Sequence, residues 1–302
     1  MENDLSMGAA WMNGKVLPIS QAMIPVNDWG LVHSDITYDV VPVIDGAFFR
    51  FDEYLARFLS SMENLNLDPG MSKRDIKAAL HQMVGKSSLR DSYVAMVCSR
   101  GKPKIAGSRD PRDCENHFFA WCVPYVHIIK PEVVEKGATA WIAQNAYRIP
   151  ENSVNPRVKN YHWLDLVNGM FEAYDRGHYT AVLVDEENNV LEGPGFNIFS
   201  LDENGLKTPK IGVLEGITRQ TAIRLASELD IPVQEKSIGS EEFINSDEAF
   251  ATSTAGGIIP ITKINGKKIN NGKIGKVTSL LKNLYWEKHT DPQWSQSVDE
   301  LI

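Results

Sequence analysis

Residues 155–200 read NPRVKNYHWLDLVNGMFEAYDRGHYTAVLVDEENNVLEGPGFNIFS. The pattern of apolar residues predicts a helix over about 163–176 and a strand near 181–184. Glu192 then opens the glycine-rich turn Glu-Gly-Pro-Gly-Phe-Asn, which leads into a further strand near 198–201. Strands that alternate with helices are typical of α/β proteins, so this stretch predicts a mixed α/β domain.

The same alternation continues to the end of the chain. Helices are expected over about 218–229 and 276–287, and further strands near 138–143, 231–235, 249–252 and 258–264. The dipeptides Asn204-Gly205 and Asn265-Gly266 are turn signals between these elements. We therefore expect residues 131–302 to form one large α/β domain.

The first part of the chain begins with two hairpin signals. Asn13-Gly14 and Asp45-Gly46 stand between apolar runs, and both dipeptides suit type I′ turns, whose central residues need a positive φ. Two helices are expected next, over about 52–65 with Asp52 as N-cap and over about 72–86 with Ser72 as N-cap.

Two apolar runs, 92–99 and 118–123, then predict strands on either side of a polar loop at 100–115. Together with the hairpins and helices, these strands predict a small α+β domain at 1–123. A linker at 124–130 is expected to join this domain to the larger one.

Composition limits the kinds of partner that the protein can have. The chain has 302 residues with 31 basic and 39 acidic side chains, so its formal net charge is −8 and nucleic-acid binding is not expected. No apolar run has the length of a membrane span, and the N-terminal sequence MENDLSMGAAW lacks the features of a signal peptide. The three cysteines match no zinc or disulfide spacing. We expect a cytoplasmic protein with no metal site and no membrane partner.

Four local features suggest chemistry, although each also has a purely structural explanation. Lys159 stands where a proline-containing loop gives way to a helix, a position at which most lysines are simply solvated. Glu192 is an ordinary turn acid unless a ligand faces it. The stretch Gly216-Ile-Thr-Arg219 begins a helix, whose free N–H groups can bind an anion. The turn Thr252-Ser-Thr-Ala-Gly-Gly257 can cradle a phosphate or merely reverse the chain.

The order of these features is more specific than any one of them. Pyridoxal 5′-phosphate (PLP) needs an amine for a Schiff base and a carboxylate that keeps its pyridine nitrogen protonated. Its phosphate needs helix-terminal N–H groups, hydroxyls and a cation. A lysine, an acid on a glycine turn and two phosphate-type turns supply these groups in one chain. The sequence therefore indicates PLP as the cofactor.

From about Trp11 to Trp286 the sequence resembles the fold-type IV PLP enzymes, which include branched-chain and D-amino-acid aminotransferases and aminodeoxychorismate lyase. The resemblance rests on the motifs Val158-Lys159-Asn160, Glu192-Gly193 through Asn197, Leu214-Glu-Gly-Ile-Thr-Arg219 and Thr254-Ala-Gly-Gly257. It implies a D-amino-acid aminotransferase-like fold, in which a small N-terminal α+β domain precedes a larger PLP-binding domain.

The resemblance also implies a role for individual residues. Lys159 would be the catalytic lysine that holds PLP as a Schiff base, and Glu192 would face the pyridine nitrogen. Leu214 would lie on the ring face. The remaining cofactor contacts would come from Asn197 and from the phosphate-binding residues Arg57, Ile217, Thr218 and Thr254.

Within these enzymes, the segments 31–43 and 46–51 are similar to those of (R)-selective amine transaminases, and so is the loop at 100–110. In that group a mobile loop arginine accepts the carboxylate of a keto acid and moves away for an apolar amine, a role that falls to Arg109 here. The substrate pocket would be lined by His33, Tyr38, Thr254 and Ala255. Two residues depart from the pattern, Glu215 where relatives commonly have proline and Ile44 where they often have an aromatic residue.

The function implied is transamination from a primary amine, of (R) configuration, to a keto acid such as pyruvate. The alternatives are a D-amino-acid or branched-chain aminotransferase and, further away, an aminodeoxychorismate-type lyase. A non-catalytic small-molecule-binding protein, or an enzyme that uses lysine without PLP, represents a different class. Enzymes of this group are homodimers, so self-association is also expected.

Overall fold

Residues 4–299 are described by a computed structural model that divides into two compact units. The first unit comprises residues 4–126, Val158–Tyr161 and 289–299, and the second comprises His127–Arg157 and His162–Lys288. The junction between Val126 and His127 falls within the expected linker, 124–130.

Two segments of the first unit were expected in the domain 131–302. The hydroxyl of Thr37 donates to the carbonyl of Lys159 at 2.6 Å, and an isolated bridge pairs Thr37 with Asn160. Near the C-terminus, Ser295–Ser297 pairs antiparallel with Ala47–Phe49. Backbone pairing of this kind joins residues that are far apart in the chain. It produces no regular spacing of apolar residues in the sequence, so it was not predicted.

The strands are numbered in chain order. They are β1 Ala9–Met12, β2 Lys15–Pro18, β3 Ile36–Ile44, β4 Ala47–Phe49, β5 Ser92–Pro103, β6 Cys114–Pro124, β7 Ala138–Tyr147, β8 Thr180–Val184, β9 Glu192–Gly193, β10 Phe196–Asp202, β11 Gly205–Thr208, β12 Val233–Glu235, β13 Glu248–Ser253, β14 Gly257–Ile264, β15 Lys267–Lys268 and β16 Ser295–Ser297.

The helices are α1 Trp29–Val32, α2 Phe51–Asn64, α3 Lys73–Ser87, α4 Pro131–Val134, α5 Leu164–Asp175, α6 Ile217–Glu228, α7 Ser240–Ile244 and α8 Lys276–Glu287. Within residues 4–299, none of them combines the length and the apolar character that a membrane crossing requires.

The first unit is built on a seven-stranded sheet in the order β16-β4-β3-β5-β6-β1-β2. The β1–β2 and β3–β4 hairpins turn at Asn13-Gly14 and Asp45-Gly46, and all four turn residues have a positive φ, as type I′ turns require. β5 and β6 are longer than expected, because a register shift after Ser99 lets Lys102 pair with Glu115. The expected loop is therefore confined to the hairpin tip, 104–113.

The two long helices of the first unit begin in different ways. Ser72 caps α3 as expected, since its side chain accepts from the N–H of Asp75 and the Asp75 side chain accepts from the N–H of Ser72. The expected capping of α2 by Asp52 is wrong. The N-cap is Arg50, in the left-handed conformation with φ 51°, and Asp52 lies in the first turn. An acid in the first turn still favours the helix through the helix dipole, which explains the similar sequence signal.

The second unit is built on a mixed sheet in the order β12-β11-β10-β13-β14-β7-β8, to which β9 and β15 add at β10 and β14. β7 runs parallel to both β8 and β14, whereas β13 runs antiparallel to its neighbours. Buried apolar residues from these strands form the core, among them Val182, Ile198, Ala251 and Ile259. The expected α/β class is confirmed, and α5, α6 and α8 begin within one residue of their expected starts.

Candidate active site

Lys159 is half-buried and has a fixed backbone in the first unit. Its carbonyl accepts hydrogen bonds from Thr37 Oγ1 at 2.6 Å and from the N–H of Tyr38 at 3.3 Å, both on β3. Its own N–H donates to Ser61 Oγ on α2 at 3.3 Å. The Nζ atom lies 4.5 Å from the centroid of the Tyr38 ring. These contacts order Lys159 far more than a solvated loop lysine requires.

Tyr38 joins Lys159 to a second aromatic ring. The rings of Tyr38 and Tyr161 stack with their centroids 4.1 Å apart and their planes 6° from parallel. Tyr38 is buried on β3, and Tyr161 is the last residue of Val158–Tyr161. Tyr38, expected to line the substrate pocket, therefore contacts the expected catalytic lysine.

Arg57 is not the surface residue that its place on a helix suggests. Arg57 Nε donates to Asp39 Oδ2 at 2.8 Å and Nη2 donates to Asp39 Oδ1 at 2.7 Å, and the Asp39 side chain is fully buried. Burial by itself lowers the pKa of Arg57, but the carboxylate of Asp39 and the Tyr54 and Tyr38 hydroxyls outweigh it and raise that pKa. Arg57 is therefore a permanent, oriented cation in the first unit.

Glu192 lies at the centre of a buried hydrogen-bond network in the second unit. It is on the two-residue strand β9, opposite Asn197 on β10. Its Oε2 accepts from the N–H of Leu214 at 3.0 Å and from Asn197 Nδ2 at 3.3 Å. Its Oε1 accepts from Arg148 Nε at 3.0 Å. A carboxylate with these donors is kept charged and in one orientation, as a partner of a cationic nitrogen must be.

The glycine turn around Glu192 depends on the absence of side chains. A Cβ on Gly193 would lie 2.1 Å from Phe196 Cζ and 2.4 Å from the carbonyl oxygen of Ala181. Gly195 has φ +80°, in the left-handed region that favours glycine. The carbonyl of Gly195 accepts from Ser253 Oγ at 2.8 Å, which ties this turn to the end of β13.

The N-terminus of α6 carries the expected phosphate-binding residues Ile217 and Thr218. Its N-cap, Gly216, has no side chain that could cap the helix. Thr218 Oγ1 is buried and has no hydrogen-bond partner within residues 4–299, and the same holds for Thr252 Oγ1 on β13. Because buried hydroxyls normally have partners, this end of α6 fits a bound anion such as the phosphate of PLP.

The turn after β13 carries Thr254 and Ala255, which the sequence assigned to phosphate and substrate. Thr254 is half-buried and Ala255 is buried. The N–H of Ala255 donates to Ser253 Oγ at 3.1 Å, and its carbonyl accepts from the N–H of Ile128 at 3.0 Å. The turn is thus a rigid part of the second unit.

Arg109 and His33 both lie on the surface of the first unit. Arg109 is exposed on the hairpin tip and forms no ion pair with the described residues 4–299. The neighbouring carboxylates have other partners, since Asp110 pairs with Arg112 at 2.5 Å and Asp113 accepts from Ser108 Oγ at 2.5 Å. His33 is the C-cap of α1 and is exposed, and its ring centroid lies 4.6 Å from that of Trp29. Neither residue is a core residue.

Three functional candidates escaped the sequence reasoning. Asp39 lies in the strand Ile36–Ile44, in which the first eight residues are buried. An acid in such an apolar strand needs a cationic partner, and this signal was present in the sequence. Tyr161 stands two residues after Lys159. Arg148, which bonds Glu192, has no local signal at all, because its partners are distant in the chain.

Comparison with known proteins identifies the class to which this fold and these residues belong. The family model described as amino-transferase class IV matches residues 37–264, which include Tyr38, Arg57, Lys159 and Glu192. The chain belongs to the amino-transferase class IV family.

Individual relatives cover nearly the whole chain. A Methanocaldococcus jannaschii protein named "Putative branched-chain-amino-acid aminotransferase" is 32% identical, over 95% of this chain and 98% of its own length. The D-alanine aminotransferase of Bacillus licheniformis is 27% identical, over 88% of this chain and 92% of its own. The T.th. branched-chain amino acid aminotransferase with pyridoxamine 5′-phosphate superposes with a TM-score of 0.90 at 26% identity, over 98% of this chain and 100% of that one. The protein is a PLP-dependent aminotransferase.

Proposed function

We propose that the protein transfers the amino group of an (R)-configured primary amine to a keto acid such as pyruvate, with Lys159 as the residue that holds PLP. The observation that supports an amine as the donor is that Arg109 is exposed and forms no ion pair within residues 4–299. It is an exposed cation whose neighbouring carboxylates are bonded to other residues. An arginine that no carboxylate within residues 4–299 holds is available for the carboxylate of a keto acid and can leave the pocket for an apolar group.

The cofactor roles follow the resemblance residue by residue. Lys159 would hold the cofactor as a Schiff base, Glu192 would face the pyridine nitrogen, and Leu214 would lie on the ring face. The phosphate would be held by Arg57, the N–H of Ile217 and the hydroxyls of Thr218 and Thr254, and Asn197 bonds the carboxylate of Glu192. Two features support these roles, namely the Thr218 hydroxyl at the start of α6, which has no partner in the described part of the chain, and the permanent charge of Arg57.

PLP, when bound, stabilises negative charge at the Cα of the substrate. Once the substrate amine has displaced Lys159 from the cofactor, the free Lys159 Nζ would remove the Cα proton as a general base and return a proton as a general acid. The ring of Tyr38, which stacks on Tyr161, helps to position this amine, since Nζ lies 4.5 Å from the centroid of the Tyr38 ring. His33, Tyr38, Thr254 and Ala255 line the substrate pocket in this proposal.

A second candidate is a D-amino-acid or branched-chain aminotransferase. The names of the relatives favour it, because they include D-alanine and branched-chain aminotransferases at 27% and 32% identity. This candidate differs from the first in one requirement, since both of its substrates carry a carboxylate. A lyase of the aminodeoxychorismate type would instead release pyruvate without any amino acceptor.

Initial rates with one acceptor separate these candidates. The donors are (R)-1-phenylethylamine, (S)-1-phenylethylamine as the matched control, D-alanine and L-leucine, each with 2-oxobutyrate. We expect the highest rate with the (R)-amine, and high rates confined to the two amino acids would exclude our proposal. Lys159→Ala should abolish the absorbance band of the bound cofactor and its borohydride-fixed attachment to the chain.

We also propose that the protein acts as a homodimer. Met23, Val26, Leu31 and Val32 are apolar, exposed and close together in the chain of the first unit. Exposed apolar side chains that are close in the chain are often covered at subunit contacts. Light scattering coupled to gel filtration tests this proposal, since a monomer at micromolar concentration would contradict it. The cytoplasmic location stays a prediction from composition.

A further inference from the structure

Arg148 lies between two carboxylates of the second unit. Its Nε donates to Glu192 Oε1 at 3.0 Å and its Nη1 donates to Asp165 Oδ2 at 2.7 Å. All three side chains are nearly buried, with exposed fractions of 11% for Arg148 and 8% for each acid. The attraction between this guanidinium and Glu192 is strong, because the two groups are in contact and little water screens them.

The position of Arg148 is fixed from both ends. Its N–H donates to the carbonyl of Val184 at 3.0 Å, directly after β7. Asp165, in the first turn of α5, accepts from the N–H of Ile149 at 2.9 Å as well as from Arg148. The guanidinium is therefore held at the Oε1 atom of Glu192, while the N–H of Leu214 is held at the Oε2 atom.

The charge of Arg148 is permanent. Burial by itself lowers the pKa of Arg148, but the nearby carboxylates of Glu192 and Asp165 outweigh it and raise that pKa. The cluster of one cation and two anions has a net charge of about −1, which suits a further cation next to Glu192. A protonated pyridine nitrogen is such a cation.

We propose that Arg148 is a positioning residue that keeps Glu192 charged and oriented for the pyridine nitrogen of PLP. This inference rests on the proposed role of Glu192. Asp165 contributes to this role because it shares the positive charge of Arg148 with Glu192. Glu192 can therefore still attract a second cation. A merely structural role would instead limit Arg148 to joining the end of β7 to the start of α5.

The two roles predict different cofactor selectivity. In 1-deaza-PLP a C–H group replaces the ring nitrogen, so the analogue retains the aldehyde and the phosphate but has no proton to share with Glu192. We expect the apoenzyme to bind PLP more tightly than 1-deaza-PLP. Arg148→Met should reduce the ratio of the two dissociation constants about tenfold. A tenfold change corresponds to a shift of one pKa unit in the pyridine nitrogen that Glu192 contacts. Glu192→Gln should reduce this ratio similarly.

Dissociation constants from fluorescence titration of the apoenzyme give this preference without any turnover. Arg148→Lys, which keeps the charge but loses the planar donors, should restore part of it. If Arg148→Met does not fold, the double variant Arg148→Met with Asp165→Asn gives the same comparison, because Asp165 then no longer loses its counterion.

An equal loss of affinity for PLP and 1-deaza-PLP would overturn the positioning role and leave a structural one. A failure of the proposed function would be different in kind. In that case the wild-type protein would bind PLP without attachment at Lys159, or Glu192→Gln would leave the preference unchanged.

Discussion

Arg57 and Asp39 form a bidentate ion pair in which Nε donates to Oδ2 at 2.8 Å and Nη2 donates to Oδ1 at 2.7 Å. Asp39 Oδ1 also accepts from the N–H of Val40 at 2.7 Å. The pair joins α2 to β3, the strand whose Thr37 and Tyr38 hold the backbone of Lys159. The proposed phosphate-binding cation and the proposed catalytic lysine thus share one strand as support.

Removal of Asp39 should destabilise the fold strongly. Asp39→Ala leaves the Arg57 guanidinium without its buried carboxylate, which costs about 3–5 kcal/mol of unfolding free energy. Urea denaturation followed by circular dichroism measures this change. The matched control is Asp52→Ala, because Asp52 is 63% exposed and its contacts to Lys73 and Lys77 are 3.6 and 3.5 Å long. That variant should lose less than about 1 kcal/mol, and equal losses in the two variants would contradict the buried pair.

Local signals in the sequence predicted the elements well. A type I′ turn requires a positive φ at both central residues, and the dipeptides Asn13-Gly14 and Asp45-Gly46 adopt that conformation readily. The identity of these residues therefore predicts the turn. Ser72 and Asp75 form a capping box from residues three positions apart. In such cases the residues that determine the conformation are adjacent or nearly so. Turns and helix caps of this kind can therefore be predicted without knowledge of the tertiary structure.

Long-range partners were not predictable in this way. Arg148 bonds Glu192, 44 positions later in the chain, and nothing in its neighbourhood marks it. Lys159 pairs its backbone with Thr37, 122 positions earlier, so its segment belongs to the first unit. The resemblance supplied the roles of Lys159 and Glu192, but the residues that orient them became visible only in the structure.

The N-caps of α6 and α7 allow a test of the proposed phosphate site. A Cβ on Gly216 would lie 2.2 Å from Asn197 Oδ1, so Gly216→Ala must displace the amide that bonds Glu192 and the carbonyl of Leu214. We expect PLP affinity to fall at least tenfold, about 1.4 kcal/mol, in a titration of the apoenzyme.

Gly239→Ala is the control for this substitution. Gly239 is also a helix N-cap, with φ −68° and ψ 152° against −63° and 134° for Gly216, and a Cβ there would meet nothing within 4 Å. Its PLP affinity should equal that of the wild type. Unchanged affinity in Gly216→Ala would show that Asn197 and α6 do not support the cofactor.

Glu172 should make stability depend on pH in the acidic range. Burial alone raises its pKa, but hydrogen bonds from Trp141 Nε1 and from the N–H groups of Gln144 and Asn145 outweigh burial and lower the pKa below its ordinary value of 4.5. A lowered folded-state pKa contributes stability that is present above pH 4.5 and is lost as pH falls through the folded-state value.

Glu172→Gln should therefore lose about 1–3 kcal/mol of unfolding free energy at pH 7. The difference from the wild type should narrow as pH falls from 5 towards 3, which urea denaturation at a series of pH values measures. Glu187→Gln, on an exposed turn, should stay within about 0.5 kcal/mol of the wild type at pH 7. A difference that stays constant down to pH 3 would contradict the role of the Glu172 charge.

Arg109 and Arg112 form a matched pair for the substrate proposal, since both are exposed arginines of the same hairpin tip. Arg112 donates to Asp110, whereas Arg109 has no ion pair within residues 4–299. Arg109→Met should raise the KM for the keto acid at least tenfold, because a hydrogen bond to a charged group contributes about 1.5–3 kcal/mol. The same variant should leave the KM for (R)-1-phenylethylamine nearly unchanged, since this donor has no carboxylate. Arg112→Met should change neither constant. Equal effects of Arg109→Met on both substrates would mean that Arg109 shapes the hairpin rather than binding the keto acid.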